Sequence, residues 1–183
     1  MEWISKHLGM AKHIGEFRFK HWLDKNASDV LAEVGVGAGQ VVLDFGCGSG
    51  TYAIPAAKLV GKDGRVYALD ISSRALDRME KKAEQEGLKN IVRIDSGEEE
   101  IPIEDEAVDH VLLIDILQEI DDREALFDEV YRILKPDGVA TVYPMHIEID
   151  EVESLAISKG LTLEGRKFQE RIPIFKKALL SRA

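Results

Sequence analysis

Asp44, Gly46, Gly48 and Gly50 place an acid ahead of a turn with glycine at every second position, between an apolar run and a helix-forming run. Glycine removes the side chain that would hold a ligand off the main chain, and a helix start carries N–H groups with no partner inside the helix. Such a loop lets a small molecule lie against backbone. A second acid, Asp70, ends the next apolar run, where a carboxylate can accept two hydrogen bonds from a ribose diol. Asp95-Ser96-Gly97-Glu98 and Ile114-Asp115-Ile116-Leu117-Gln118 close the two apolar runs after that. At the carboxyl ends of consecutive strands, these four features outline an elongated pocket for a nucleoside.

The elements that must hold them alternate in type. Val41–Phe45 reads as a strand and Tyr52–Val60 as the following helix, with a turn at Gly61–Gly64. Arg65–Asp70 is the second strand. Ser72 or Ser73 caps a helix that buries Leu76, Met79 and Ala83 and stops at Gly87. Asn90–Ile94 alternates as an edge strand does, and Val108–Ile114 is apolar enough to be central. A helix over Asp122–Leu134 carries Ala125, Leu126, Val130 and Ile133 on one stripe. Lys135-Pro136-Asp137-Gly138 predicts a tight turn in which Gly138 takes the positive φ, followed by a fifth strand over Val139–Met145. A helix over Glu151–Lys159 ends at Gly160, and Leu161–Phe168 and Ile174–Leu180 read as a closing antiparallel pair.

This order predicts an α/β fold. The sheet is Rossmann-like and doubly wound, mostly parallel with an antiparallel C-terminal strand, and helices cover both faces. We expect one domain over residues 1–183, with its α/β core in 28–183. Residues 1–27 mix Trp3, Ile4, Leu8, Phe17, Phe19, Trp22 and Leu23 with His7, His13 and His21. They are expected to form a helical lid over the carboxyl edge of the sheet, where open α/β folds bind ligands.

Composition narrows the function. The 183 residues are 45% hydrophobic and 32% charged, as in a globular domain with a full core. No apolar run approaches the ~20 residues of a membrane span, and the charged start is unlike a secretory signal, so a cytoplasmic location is expected. The net charge of −10 opposes a nucleic-acid partner, although Arg166, Lys167, Arg171, Lys176 and Lys177 cluster near the C-terminus. Cys47 is the single cysteine, which excludes an internal disulfide and a multi-cysteine metal site. It reads as a small side chain beside the ligand, with a catalytic thiol as the alternative. Glu98-Glu99-Glu100 reads as a solvated turn, and no metal is expected.

Two nucleoside cofactors could use this frame. A nicotinamide dinucleotide wants G-x-G-x-x-G or G-x-G-x-x-A, and here the third position is Thr51. Glycine at 46, 48 and 50 after an acid suits a cofactor with a charged amino-acid tail and no pyrophosphate. Together with Asp70 and with Leu134-Lys135-Pro136-x-Gly138 before the fifth strand, the pattern resembles class I S-adenosylmethionine-dependent methyltransferases over residues 28–145. The resemblance is to the small-molecule branch that includes quinone-biosynthesis C-methyltransferases and arsenite methyltransferases.

The resemblance implies roles. Gly46, Cys47, Gly48 and Gly50 would border the methionine part of the cofactor, with Asp44 near its amino group, directly or through water. Asp70 would take the ribose hydroxyls and Ile71 would pack on the adenine. The adenine edge would meet Asp95, Ser96 or Gly97, and Ile114 would line the cofactor at the end of the fourth strand. Gln118 stands where related enzymes often carry His, so that residue's role does not transfer.

Methyl transfer from S-adenosylmethionine to a small organic acceptor, leaving S-adenosylhomocysteine, is the function implied. A base is needed only for some acceptors; His7, His13, His21, Asp115 and His146 are candidates by position, and no catalytic residue is assigned. Ile114-Asp115-Ile116-Leu117 is not the Asn/Asp-Pro-Pro-aromatic motif of amino-methylating nucleic-acid enzymes, and one cysteine is too few for arsenite chemistry. The lid should matter more for turnover than for cofactor binding. A non-catalytic partner subunit that keeps the fold, and an NAD(P)-dependent oxidoreductase, are the alternatives. The acceptor, the atom methylated and the oligomeric state are not legible.

Overall fold

Strands β1 (Val41–Phe45), β2 (Arg65–Asp70), β3 (Ile91–Asp95), β4 (Val108–Ile114) and β5 (Leu134–Tyr143) run parallel in the computed structural model. The structure describes residues 2–96 and 101–178, with side chains from residue 14 onward. Strands β6 (Leu161–Lys167) and β7 (Ile172–Lys177) form the closing hairpin, and β7 pairs antiparallel with β5. The sheet order is β3-β2-β1-β4-β5-β7-β6, with β3 on an edge and β4 central. From β1 the chain crosses to β2 on one side, and β4 lies on the other. The strand order reverses there, which opens a crevice at the carboxyl ends.

Helices cover both faces. Helices α2 (Ala27–Glu33), α3 (Ala53–Val60) and α4 (Ser73–Gln85) enclose one core, where Leu31, Ala56, Leu76 and Met79 meet Val42, Val66 and Ala68. Helices α5 (Arg123–Ile133) and α6 (Ile149–Ser158) enclose the other, where Phe127, Val130 and Ala156 meet Leu43, Val111, Leu113 and Phe175. Alternate residues of β1 thus serve opposite cores, as the pleat of a strand requires. Among the described residues no helix is long and apolar enough to cross a membrane.

Local chemistry sets the ends. Ser72, not Ser73, caps α4: its Oγ accepts from Ala75 N–H at 3.3 Å, while Ser73 Oγ donates to Asp95 Oδ1 at 2.7 Å. Asn90 Nδ2 donates to Ala57 O and Gly61 O, closing the end of α3. Strand β7 starts two residues before the expected Ile174, and Leu179 and Leu180 lie outside the described residues.

One expectation is overturned. Lys135–Gly138 is not a turn ahead of a strand but a bulge inside β5. The partners step from Val108–Leu134 to His110–Val139, so these residues loop out opposite Asp109. Lys135 Nζ pairs with Asp109 Oδ2 at 2.8 Å and pins the bulge. Asp137 takes the positive φ of 65°, while Gly138 is glycine because a Cβ there would stand 2.8 Å from Lys135 O.

Helix α1 (Glu2–Lys25) crosses the carboxyl edge of the sheet. Tyr52 Oη donates to Asp24 Oδ1 at 2.8 Å and Tyr143 Oη donates to Glu16 O at 3.3 Å, which ties α1 above the ends of β1 and β5. Phe19 stacks on Trp22 and meets Tyr143 edge-on, and Trp22 packs on Phe168. Phe19 and Trp22 thereby hold the helix in place.

Candidate cofactor site

Asp44 sits near the end of β1, 2% exposed. Ala53 N–H at the start of α3 donates to its carboxylate, and its Oδ2 has no partner among the described residues. Burial, opposed by that bond and aided by the charge of Asp70, raises its pKa to about 7. A buried carboxylate with an idle oxygen is a receptor for a cation or a hydrogen-bond donor.

The three glycines of the turn are not equivalent. A Cβ at Gly46 would press on Ile116 Cδ1 at 2.6 Å, and one at Gly50 on Met79 Cγ at 2.7 Å. These two are glycine because protein packs on them. A Cβ at Gly48 would meet nothing within 4 Å, so only there is main chain left open to a ligand. Cys47, beside it, is buried, and burial followed by the charges of Asp44 and Asp70 pushes its thiol up. That removes the thiolate a nucleophile would need and leaves the small-side-chain reading.

Asp70, at the end of β2, clamps two loops. Its Oδ2 accepts from Gly48 N–H at 2.7 Å and its Oδ1 from Ser72 N–H at 2.8 Å. Each oxygen keeps a further lone pair for a ligand hydroxyl. Beside it lies an apolar slot lined by Phe45, Gly46, Leu69, Ile71, Ser96 and Ile116. Ile71 is 79% exposed, an unusual place for a large aliphatic side chain unless a flat group packs on it.

The three candidates after β3 separate. Asp95 is engaged: Arg93 Nε reaches its Oδ2 at 2.6 Å and Ser73 Oγ its Oδ1, and the guanidinium first of all holds its pKa down to about 2. Ser96 lines the slot. Gly97 lies outside the described residues, as do Glu98–Glu100.

At the end of β4, Ile114 is buried and Asp115 takes a φ of 58°. Asp115 accepts from Gln118 Nε2 and lies 3.5 Å from Lys20 Nζ. Gln118 Oε1 is, like Asp44 Oδ2, buried with no partner among the described residues. The remaining candidate bases are scattered. His21 is exposed, His146 Nδ1 is 2.9 Å from Glu16 Oε2, and the side chains of His7 and His13 lie outside the described residues. The C-terminal cations do not make a basic patch: Arg166 pairs with Glu153, Lys167 with Glu33, Lys176 with Asp137 and Lys177 with Glu106.

The sequence reading missed Lys20, Asp24 and Tyr52. Lys20 Nζ binds Asp24 Oδ1 at 2.7 Å, and Asp24 also holds the Tyr52 phenol, whose pKa rises through burial and then this bond. The signal was the i,i+4 spacing of Lys20 and Asp24 on one helix face.

The family model described as "Methyltransferase domain" matches residues 42–138, from β1 to the bulge of β5. The chain belongs to the class I S-adenosylmethionine-dependent methyltransferases. This methyltransferase domain is 32% identical over 136 residues to a demethylmenaquinone methyltransferase of Geobacillus stearothermophilus, covering 74% of this chain and 57% of that protein. It is 33% identical over 138 residues to its counterpart in Geobacillus kaustophilus, covering 75% and 58%. The domain therefore spans little more than half the length of these curated relatives. A solved SAM-dependent methyltransferase from Aquifex aeolicus shares the fold with a TM-score of 0.73 at 24% identity, over 84% of this chain and 90% of that one. Magnesium protoporphyrin IX methyltransferase from Synechocystis PCC 6803, solved with bound SAM, shares it with a TM-score of 0.70 at 16% identity, over 90% and 83%.

The residues of this methyltransferase domain fit S-adenosylmethionine. Asp44 offers an idle buried oxygen, Gly48 bare main chain, and Asp70 a carboxylate with spare acceptor capacity at the mouth of an apolar slot.

Proposed function

We propose that the domain transfers a methyl group to a small organic acceptor held beneath α1. Bound S-adenosylmethionine supplies the activated methyl group; the chain supplies position and a dry site. Asp44 receives the cofactor's ammonium, Asp70 its ribose hydroxyls, and Ile71, Ser96 and Ile116 its adenine. Tyr143, Pro144, Met145, Ile147 and Arg171, with Gly15 and Glu16 of α1, line a cavity of about 280 Å³ at the end of β5. That is room for a small molecule near the lower bound of ligand pockets. Arg171 lies over the Phe19 ring at 4.7 Å, and burial first of all raises the Tyr143 phenol to about 12, so the cavity offers a cation and a neutral hydroxyl. An acceptor held there lies two strands from the turn, at the same edge of the sheet.

The observation that carries this reading is the idle Asp44 oxygen beside open-faced Gly48. Calorimetric titration of the full chain with S-adenosylhomocysteine, and separately with NADH, tests it. Saturable binding of the first alone is expected. Binding of NADH alone, or of neither, would overturn it.

A further inference from the structure

Four carboxylates converge on the tail end of this site. Asp44 feels the charge of Asp70, and the Tyr52 phenol feels Asp24, Asp44 and Asp115. Surroundings of that sign suit the sulfonium and the ammonium of the cofactor. They repel its third charge, the tail carboxylate, unless a cation stands among them.

Lys20 is that cation. It comes from α1, outside the sheet core, and its side chain is 18% exposed. Its Nζ lies 2.7 Å from Asp24 Oδ1, 3.5 Å from Asp115 Oδ2 and 5.7 Å from the centre of the Tyr52 ring, and its charge reaches Asp44. Among the described residues, two other cations near the turn are held by protein oxygens, and Arg171 sits further along the edge, at the end of β5, 4.7 Å from the centre of the Phe19 ring. Lys82 Nζ is held by Ser49 O at 2.7 Å and Ser49 Oγ at 3.1 Å, and Arg123 Nε by Leu117 O at 2.8 Å.

We propose that Lys20 is the carboxylate anchor of the cofactor's amino-acid tail. It keeps its short bond to Asp24 and exchanges the long contact to Asp115 for the ligand carboxylate, while Asp44 takes the ammonium. A lysine suits the exchange because its ammonium is a point charge on a flexible stem. The roof helix then belongs to the cofactor site as well as to the acceptor side. The inference rests on the S-adenosylmethionine reading and adds a residue outside the matched family region, residues 42–138.

Two ligands separate this role from a structural one. S-adenosylhomocysteine carries the tail, and 5′-methylthioadenosine has the nucleoside and thioether without it. Calorimetry on the full chain should show Lys20→Met weakening S-adenosylhomocysteine by roughly tenfold or more, the scale of a lost bond to a charged group. Binding of 5′-methylthioadenosine should hold within about twofold, because that ligand never meets Lys20. Lys20→Arg, which keeps the charge, should recover most of the loss. An unchanged S-adenosylhomocysteine affinity in Lys20→Met would overturn the proposal and leave the carboxylate to backbone N–H groups at the start of α3. Equal weakening of both ligands would also overturn it, since Lys20 would then only seat α1. If the unmodified chain binds neither ligand, the cofactor reading itself falls and this inference with it.

Discussion

Gly48 donates its backbone N–H to Asp70 Oδ2 across 2.7 Å, and that bond ties the glycine turn after β1 to the end of β2. The same carboxylate takes Ser72 N–H on its other oxygen. Asp70 therefore builds the site and has capacity left to bind in it.

This double use makes asparagine a poor substitute despite its shape. In Asp70→Asn one of the two N–H groups would face an amide NH2 in place of an oxygen. The variant should weaken S-adenosylhomocysteine by about 1.5–3 kcal/mol, and Asp70→Ala should do the same. Calorimetry on both checks it; near-normal affinity in Asp70→Asn would show that neither clamp matters.

Asp44 should destabilise the protein that it equips for binding. Its native pKa of about 7 lies above the ordinary 3.8, so the folded chain keeps the proton longer than the unfolded chain. Stability is lost as pH rises from about 4 through 7, and above 7 the whole cost stands. Asp44→Asn should raise the melting midpoint at pH 8, by an amount worth roughly 1–3 kcal/mol, and should lose cofactor affinity. A variant less stable than the parent at pH 8 would contradict this.

His110 has the opposite slope. Its Nε2 lies 2.7 Å from Thr141 Oγ1 between β4 and β5, and burial lowers its pKa from 6.5 to about 4. The unfolded chain takes up its proton first, so stability falls as pH drops from 6.5 towards 4. The two groups offset each other between about 4 and 6.5, and the parent's melting profile should be nearly flat there. His110→Gln should unmask a midpoint that falls with rising pH, and Asp44→Asn one that rises. Parallel profiles for the two variants would refute the assignment.

Gly48 and Gly50 should separate binding from folding. Both take a positive φ, 53° and 86°, but only Gly50 has neighbours where a Cβ would go. Gly50→Ala pushes into Met79 and Ile54 and should cost about 2 kcal/mol or more in denaturant unfolding. Gly48→Ala should cost about 1 kcal/mol through strain alone, yet should weaken S-adenosylhomocysteine more than tenfold by covering the open backbone. Equal losses of stability would contradict the distinction.

Most of the sheet was legible because its signals are local. Val41–Phe45, Arg65–Asp70 and Val108–Ile114 are short apolar runs with sharp ends, and each strand falls where its run does. The bulge of β5 was not legible, because Pro136, Asp137 and Gly138 are the residues of a turn, and only pairing with β4 shows that the strand continues through them. At the site, Asp44 and Asp70 could be found by position in sequence. The division of labour among the three glycines could not, since Ile116 and Met79 reach them from distant parts of the chain. Lys20 was hidden for the same reason: its partner Asp24 is local, but Tyr52 and Asp115 are brought to it by the fold.

A crystal structure of the full chain with S-adenosylhomocysteine bears most directly on the central claim. The account predicts the ligand's amino group at Asp44 Oδ2, its ribose hydroxyls on Asp70 and its adenine in the slot between Ile71, Ser96 and Ile116. Density for the nucleoside at any other position, including the cavity beside Arg171, would contradict it.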